Sequence, residues 1–383
     1  MKIAIMGIRG IPANYGGFET FAEHIAPLLV EKGHDVTVYG RSKNVTYKDE
    51  YYKGVRLIIL PTITHKYLDT VVHTFLCGLH SLKERFDVIL MCNSANSIFA
   101  FIPRLIGQKI ALNVDGLEWQ RAKWNKLGQW YYKLSEFVAT FSPNVVVTDA
   151  KIIQNYYLQK YKKTSTYIPY GSPVEKVDTK DALDLFGVKP DEYVLYVSRL
   201  EPENNAHLVI KAFEKVKTNL KLVIVGDAPY STEYIEELKS TKDPRIVFTG
   251  YVFGNGYREF QSNAYFYVQA TEVGGTHPAL LESMGHGNCV LGNDVPEHRE
   301  VLEDAGVYFN TEDRDNLKNR MQFLLDNPDV VEEKRKLALE RIQQNYTWEK
   351  VTSEYEALFF KMVGDKVRIT QGKKVEQVFE QQV

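Results

Sequence analysis

Glu272-Val273-Gly274-Gly275-Thr276-His277-Pro278-Ala279-Leu280-Leu281-Glu282-Ser283-Met284-Gly285 is the stretch that decides the fold. It reads as a glycine-rich loop opening into a helix, with Pro278 suited to a first helical turn. An apolar strand pattern precedes it at Tyr265–Gln269, and another follows at Asn288–Leu291. Strand, loop, helix and strand together make the repeating unit of a parallel sheet. The first-turn N–H groups of such a helix are open to an anion or a polar ligand. Glu282, inside the helix, places a carboxylate where it can accept hydroxyl hydrogens.

The same alternation extends outward. Upstream lie a strand at Tyr193–Val197, a helix at His207–Val216, a strand at Leu220–Val225 ending in Gly226-Asp227, and a strand at Ile246–Phe248. The first half repeats the architecture without repeating the sequence. Lys2–Ile5 is a strand, and Phe18–Lys32 is a helix closed by Gly33. Further strands are expected at Asp35–Tyr39, Val55–Leu60, Val88–Met91, Lys109–Val114 and Val145–Thr148. Ile168-Pro169-Tyr170-Gly171-Ser172-Pro173 is rich in turn formers and divides the two series. At roughly 100–200 residues per domain, a chain of 383 residues holds two domains. The expected class is α/β, with two Rossmann-like domains facing each other across a cleft. Residues 1–170 form the first and 171–347 the second. In residues 348–383, a helix at Trp348–Met362 packs back on the first domain and a tail follows. In open α/β sheets, ligands bind beyond the carboxyl ends of the strands.

Composition narrows the classes. Hydrophobic residues are 44% and charged residues 25%, which excludes collagen-like and disordered chains. The net charge of −2 hides an asymmetry: residues 1–170 carry +8 and residues 171–383 carry −10. So acidic a whole argues against a nucleic-acid binder, while one basic half leaves a local anionic partner open. Three cysteines, Cys77, Cys92 and Cys289, form no CxxC pair, and an odd count cannot complete a disulfide framework. The nine histidines show no metal-ligand spacing, so no metal site is expected. The N-terminus MKIAIMGIRG lacks a long apolar core, so no signal peptide is expected.

Two further motifs follow strands. Ile8-Arg9-Gly10-Ile11-Pro12-Ala13-Asn14-Tyr15-Gly16-Gly17-Phe18-Glu19 joins the first strand to the first helix and suits a phosphate, or is an extended turn. A nicotinamide cofactor fits less well, because Gly7-x-x-Gly10 is not G-x-G-x-x-G. Ser198-Arg199-Leu200-Glu201-Pro202-Glu203-Asn204-Asn205 puts an arginine at a strand's carboxyl end, where it can grip a diphosphate bidentately.

Taken in this order, the motifs resemble those of retaining glycosyltransferases of family 4, which have the GT-B fold. Arg-Gly-Ile-Pro-Ala-Asn-Tyr-Gly-Gly-Phe-Glu-Thr, Asp115-Gly116-Leu117-Glu118-Trp119 and Arg-Leu-Glu-Pro-Glu-Asn-Asn are similar to a narrower group containing bacterial rhamnosyltransferases of cell-wall and capsular polysaccharide assembly. The resemblance spans about residues 1–360. It implies that Gly16 and Gly17 lie against the donor diphosphate and that Arg199 binds phosphate. Gly275 and the backbone of Thr276, His277, Pro278 and Ala279 would hold sugar and phosphate. Glu282 would bind the nucleotide ribose, and Tyr251 and Val252 would pack the base. Asp115 stands where many members carry a histidine near the acceptor hydroxyl. Two departures are visible. Gly274 occupies the first Glu position of the E-x7-E motif, and Asn204 occupies the position of the lysine that partners the arginine. Glu272 and His277 compete for the first Glu's role.

The resemblance implies retaining, metal-independent transfer of a sugar, best matched by L-rhamnose from dTDP-rhamnose, to a polyprenyl-diphosphate-linked saccharide. No cofactor is expected besides the nucleotide-sugar substrate. Rival readings are a UDP-hexose donor, a GT-B sugar-nucleotide epimerase, and a catalytically inactive GT-B partner subunit. Fixed donors aimed at the departing diphosphate can stabilise it without a metal. Arg121–Lys133 interleaves Arg121, Lys123, Lys126 and Lys133 with Trp124, Trp130, Tyr131 and Tyr132, a composition suited to an anionic membrane surface. Tyr156, Tyr157, Lys160, Lys162 and Lys163 add to it. Trp119, Leu127, Trp130, Leu134 and Phe137 recur at helical spacing, which predicts that part of this stripe is core. The expected location is cytoplasmic, peripheral on the inner face of the cell membrane.

Overall fold

The computed structural model describes residues 1–13, 16–63, 65, 68–120, 124–228, 231–272, 276–313 and 315–364. The chain divides into two compact units. One comprises Met1–Trp119, Lys123–Pro169 and the chain from Trp348; the other includes Tyr170–Thr347.

The first unit is built on eight strands: β1 (Lys2–Met6), β2 (Asp35–Arg41), β3 (Tyr51–Tyr52), β4 (Val55–Leu60), β5 (Val88–Cys92), β6 (Lys109–Asn113), β7 (Val145–Thr148) and β8 (Thr166–Tyr167). Their order is β3-β4-β2-β1-β5-β6-β7-β8, and all pairs are parallel except the β3–β4 hairpin. The second unit has β9 (Tyr193–Val197), β10 (Lys221–Val225), β11 (Ile246–Gly250), β12 (Phe266–Gln269), β13 (Val290–Asn293) and β14 (Gly306–Phe309), in the order β11-β10-β9-β12-β13-β14. Without β3 and β8, the first sheet has the same order as the second. That order is 3-2-1-4-5-6, the doubly wound Rossmann arrangement. In each sheet the chain reverses direction across one gap, β1/β5 in the first and β9/β12 in the second.

Central strands are buried on both faces. Ile3–Met6 and Val88–Cys92 are fully buried, as are Tyr193–Tyr196 and Phe266–Val268. Such strands read as continuous apolar runs, which is why they were legible. The strands not foreseen are short edge elements (β3 and β8) and β14, whose GVYF pattern is half-buried. Helix Trp348–Val363 belongs to the first unit. It packs on helix Gly17–Glu31 through Phe21, whose ring meets Trp348 at 6.2 Å and Tyr355 at 5.3 Å.

Helix Lys126–Ala139 departs from the expected packing. Its buried positions are Gly128, Ser135, Glu136 and Ala139, while Leu127, Trp130, Leu134 and Phe137 are exposed. The small residues let the helix lie close to segment Ser94–Phe99, where the Ser97 hydroxyl donates to the Ser135 carbonyl at 2.6 Å. Tyr157 is core rather than surface. Lys160 stays exposed and Tyr156 half-buried, while the ammonium and the hydroxyl meet the buried Glu136 carboxylate at 3.0 and 2.7 Å. Arg121 and Lys123 lie outside the described residues, as does the tail from residue 365.

Candidate active site

Each sheet carries its polar loops at the gap where its strand order reverses. In the first unit, Gly7 leaves β1 with φ +89°, and a Cβ there would sit 2.4 Å from the Cys92 carbonyl oxygen at the end of β5. Only glycine permits the two backbones to approach so closely. The loop then runs to Gly16, the extended N-cap of helix Gly17–Glu31. Two carboxylates of that helix reach back to hold the loop. Glu19 accepts the Arg9 N–H at 2.8 Å and Glu23 accepts the Ala13 N–H at 2.7 Å. Tyr52 of β3 also donates to Glu23 at 2.5 Å. Burial pushes the Glu19 carboxyl above its ordinary range, against the pull of the Arg9 N–H and of Arg9 and Arg41. Neither glutamate was foreseen in this role. Their i, i+4 spacing at the helix start was the available signal.

Asp115 follows β6 and is half-buried. Its φ of +56° puts a non-glycine residue in the left-handed region. The Asn113 side chain receives the Asp115 N–H at 3.1 Å and itself donates to the Tyr355 hydroxyl at 2.9 Å. Aspartate is among the residues that adopt this conformation more readily, and seven other non-glycine residues among those described share it.

In the second unit, the neighbouring strands β9 and β12 deliver the key loops. Gly226, at the end of β10, lies against the loop after β9: a Cβ there would be 1.8 Å from the Ser198 carbonyl oxygen. Arg199 follows, with Glu201 at 3.8 Å. Asn204 is buried and turns inward, donating to the Arg199 carbonyl at 2.6 Å, so its amide supports the arginine's loop. Asn205 donates to the Ala270 carbonyl at 3.0 Å, and the Glu272 N–H reaches the Glu203 carbonyl at 3.5 Å. These bonds join the Arg199 loop to the segment entering helix Pro278–Gly285.

Glu272 is exposed; Thr276 is buried, and His277, Pro278 and Ala279 are half-buried at the helix start. Gly274 and Gly275 lie outside the described residues. Glu282 receives the Tyr257 hydroxyl at 2.5 Å, and Gln261 donates to that hydroxyl at 2.8 Å. Burial raises the Glu282 carboxyl, and the Tyr257 hydrogen bond counters part of that rise. Tyr257, on helix Gly254–Ser262, is a positioning residue that the sequence did not single out. Tyr251 and Phe253 follow β11 as an exposed pair of stacked rings 5.6 Å apart, with Val252 half-buried between them.

Two more residues were not foreseen, His298 and Asn293, of which His298 lies beside His277. The His298 ring is 5.2 Å from the His277 ring, and its Nδ1–H donates to the Asn293 carbonyl at 3.1 Å. That bond leaves Nε2 as an acceptor. Nε2 and both amide atoms of the Asn293 side chain are buried with no hydrogen-bond partner among the described residues.

Residues 191–327 match the family model described as "Glycosyl transferases group 1", and residues 1–173 match "Domain of unknown function (DUF1972)". N-acetylgalactosamine-N,N'-diacetylbacillosaminyl-diphospho-undecaprenol 4-alpha-N-acetylgalactosaminyltransferase of Campylobacter jejuni is 24% identical over 179 residues, 46% of this chain and 47% of that protein. The chain spans about half the length of the first curated relatives it matches. Among solved structures, sucrose-phosphate synthase from Thermosynechococcus elongatus superposes with a TM-score of 0.78 at 18% identity, covering 94% of this chain and 98% of that one. HepE of Anabaena in complex with UDP gives 0.75 at 15% identity, covering 94% and 100%. By fold the chain is a GT-B protein of two Rossmann-like domains, and its second domain matches the group 1 glycosyl transferases.

Proposed function

We propose that the chain is a glycosyltransferase that takes a sugar from a nucleoside diphosphate and passes it to a lipid-diphosphate-linked saccharide in bacterial surface polysaccharide synthesis. One observation carries this reading. Adjacent strands β9 and β12 present Arg199 and the helix bearing Glu282 at the sheet's reversal point, inside the segment that matches group 1 glycosyl transferases.

The chemistry follows from these groups. The leaving diphosphate develops negative charge, and the Arg199 guanidinium with the first-turn N–H groups of helix Pro278–Gly285 stabilises it. Charge stabilisation by these fixed donors is what makes the proposed mechanism metal-independent. Tyr257 holds one Glu282 oxygen, which orients the other toward the ribose hydroxyls. The Tyr251–Phe253 pair offers an aromatic face for the base. In a retaining transfer with front-face attack, the departing phosphate takes the acceptor proton and Asp115 orients the acceptor hydroxyl. Glu272 and His277 are the two groups near the missing first glutamate. His277 is the better placed of the two, because it occupies the N-cap position of the helix and its ring lies 5.2 Å from that of His298. The diphospho-undecaprenol acceptor in the name of the Campylobacter relative supports a lipid-diphosphate acceptor. The rhamnosyltransferase-like motifs favour dTDP-L-rhamnose as donor, with a UDP-hexose as the alternative. The proposed place of work is the cytoplasmic face of the cell membrane, where such an acceptor is anchored.

The test is a thermal-shift panel of dTDP, dTDP-L-rhamnose, UDP and UDP-glucose on the purified chain. A ligand at 100 times its Kd stabilises the fold by about 2.7 kcal/mol, which a panel resolves. A shift with the dTDP pair supports rhamnose, and a shift with the UDP pair supports a hexose. No shift with any of the four overturns both donor assignments, and no shift with GDP- or ADP-sugars either overturns the reading. Sugar transfer by the lone chain separates an enzyme from an inactive subunit.

A further inference from the structure

Helix Lys126–Ala139 is amphipathic in the opposite sense to a core-facing helix. Its large apolar residues point outward: Leu127 is 72% exposed, Trp130 60%, Leu134 39% and Phe137 53%. At spacings of three and four residues they form one stripe, and Phe141 (49% exposed) extends it. A second segment stands beside it. In the turn after helix Phe101–Arg104, Leu105 is 80% exposed and Ile106 46%, and Phe101 itself is 45% exposed. The two segments form one surface. The Phe101 and Phe141 rings are 6.1 Å apart, Phe137 and Phe141 are 5.5 Å apart, and Arg104 donates to the Ser142 carbonyl at 2.5 Å.

Single exposed apolar residues need no explanation, but a contiguous ridge of eight does. Charge says what covers it. Between Phe101 and Lys109 there is no carboxylate, and on helix Lys126–Ala139 the only one, Glu136, is buried. Exposed Arg104, Lys126 and Lys133 sit among the apolar residues. Phe137 also touches Tyr161 at 6.4 Å, next to the exposed Lys162. Apolar side chains interleaved with exposed cations, on segments whose one carboxylate is buried, match the acyl and headgroup layers of an anionic bilayer. No helix among the described residues is long and apolar enough to cross a membrane.

We infer that this ridge, made of the Phe101–Ile106 turn and the outer face of helix Lys126–Ala139, is the surface by which the first unit inserts into an anionic membrane. The inference deepens the reading of a lipid-linked acceptor and rests on it. The side chains enter to the depth of the headgroup boundary, and the cations hold the lipid phosphates.

The experiment is flotation of the full chain with phosphatidylglycerol-containing vesicles and with pure phosphatidylcholine vesicles. Two variants are compared, Trp130→Ser with Phe137→Ser, and Lys126→Glu with Lys133→Glu. All replaced residues are exposed, and circular dichroism checks that each variant keeps the parent's fold, with a small fall in Tm expected from the lost Phe137 ring contacts and the lost Lys133–Trp119 contact. The parent should float with the anionic vesicles. The apolar double variant should partition at least ~10-fold less, since each lost anchor removes several buried methylene equivalents. The charge variant should lose its preference for phosphatidylglycerol and its sensitivity to salt. Flotation of the apolar variant equal to the parent overturns the inference, as does failure of the parent to float. So does a ridge variant that turns a dimer into a monomer without changing flotation, because the ridge then joins two copies. Nucleotide-sugar binding, read on the same samples by thermal shift, keeps the two readings apart. Its loss in the parent overturns the glycosyltransferase reading, whereas binding without flotation overturns only the docking surface.

Discussion

Tyr257 shows how a single hydroxyl sets the chemistry of a carboxylate. Its hydrogen bond occupies one oxygen of Glu282 and favours the ionised form against the effect of burial. Tyr257→Phe removes this bond while keeping the ring. A hydrogen bond to a charged group contributes about 1.5–3 kcal/mol, so the donor KM should rise roughly 10-fold or more. Because the proposed contact is to the ribose and not to reacting atoms, kcat should change little; a fall in kcat at constant KM would count against the ribose role. Asp115 predicts the opposite division. Asp115→Asn keeps shape and removes charge, so kcat should fall by ~10²-fold or more if the carboxylate orients the acceptor hydroxyl, with thermal shift by the nucleotide sugar unchanged. Wild-type kcat would refute that role. Asp115 was singled out by the resemblance, which sets it where many members carry a histidine. Tyr257 was not, since nothing local marks a tyrosine 25 residues from its glutamate.

At the scale of elements, the site depends on how closely the strand ends approach the neighbouring loops. Gly226 lets β10 end against the loop that carries Arg199. Gly226→Ala would place a methyl group 1.8 Å from the Ser198 carbonyl oxygen at a φ of +140°. The loop must move, and the cost should be on the order of 3 kcal/mol. Denaturant unfolding should show the loss in stability, and weaker nucleotide binding should accompany it. A midpoint within error of the parent would mean that the loop yields freely. Helix Lys126–Ala139 teaches a separate lesson. Its stripe was legible as a period, but a period cannot say which face turns inward. Gly128, Ser135 and Ala139 decide that, because a helix close to its neighbour has room only for small side chains.

For the whole molecule, stability should depend on pH through buried histidines in both units. His298 is held at about 4 by burial, and so is His73, whose ring donates to the Gly40 carbonyl at 3.0 Å. Each is neutral in the fold and titrates near 6.5 when unfolded, so the unfolded chain binds more protons between these values. Stability is therefore full above pH 6.5 and falls as pH drops toward 4, by on the order of 3 kcal/mol per histidine. Urea midpoints from pH 7.5 to 4.5 should decline more steeply for the parent than for His298→Gln; parallel slopes would exclude His298 as a source. The sequence by itself determined two doubly wound sheets and the loops that end their central strands. Buried parallel strands are continuous apolar runs, and glycine marks the turns at their ends. Tertiary structure alone decided the carboxylate clamp of Glu19 and Glu23, the Tyr257–Glu282 bond, the inward turn of Asn204, the buried pair Asn293 and His298, and the outward face of the ridge. Each of these depends on which side chains meet in space, and neither periodicity nor composition carries that information.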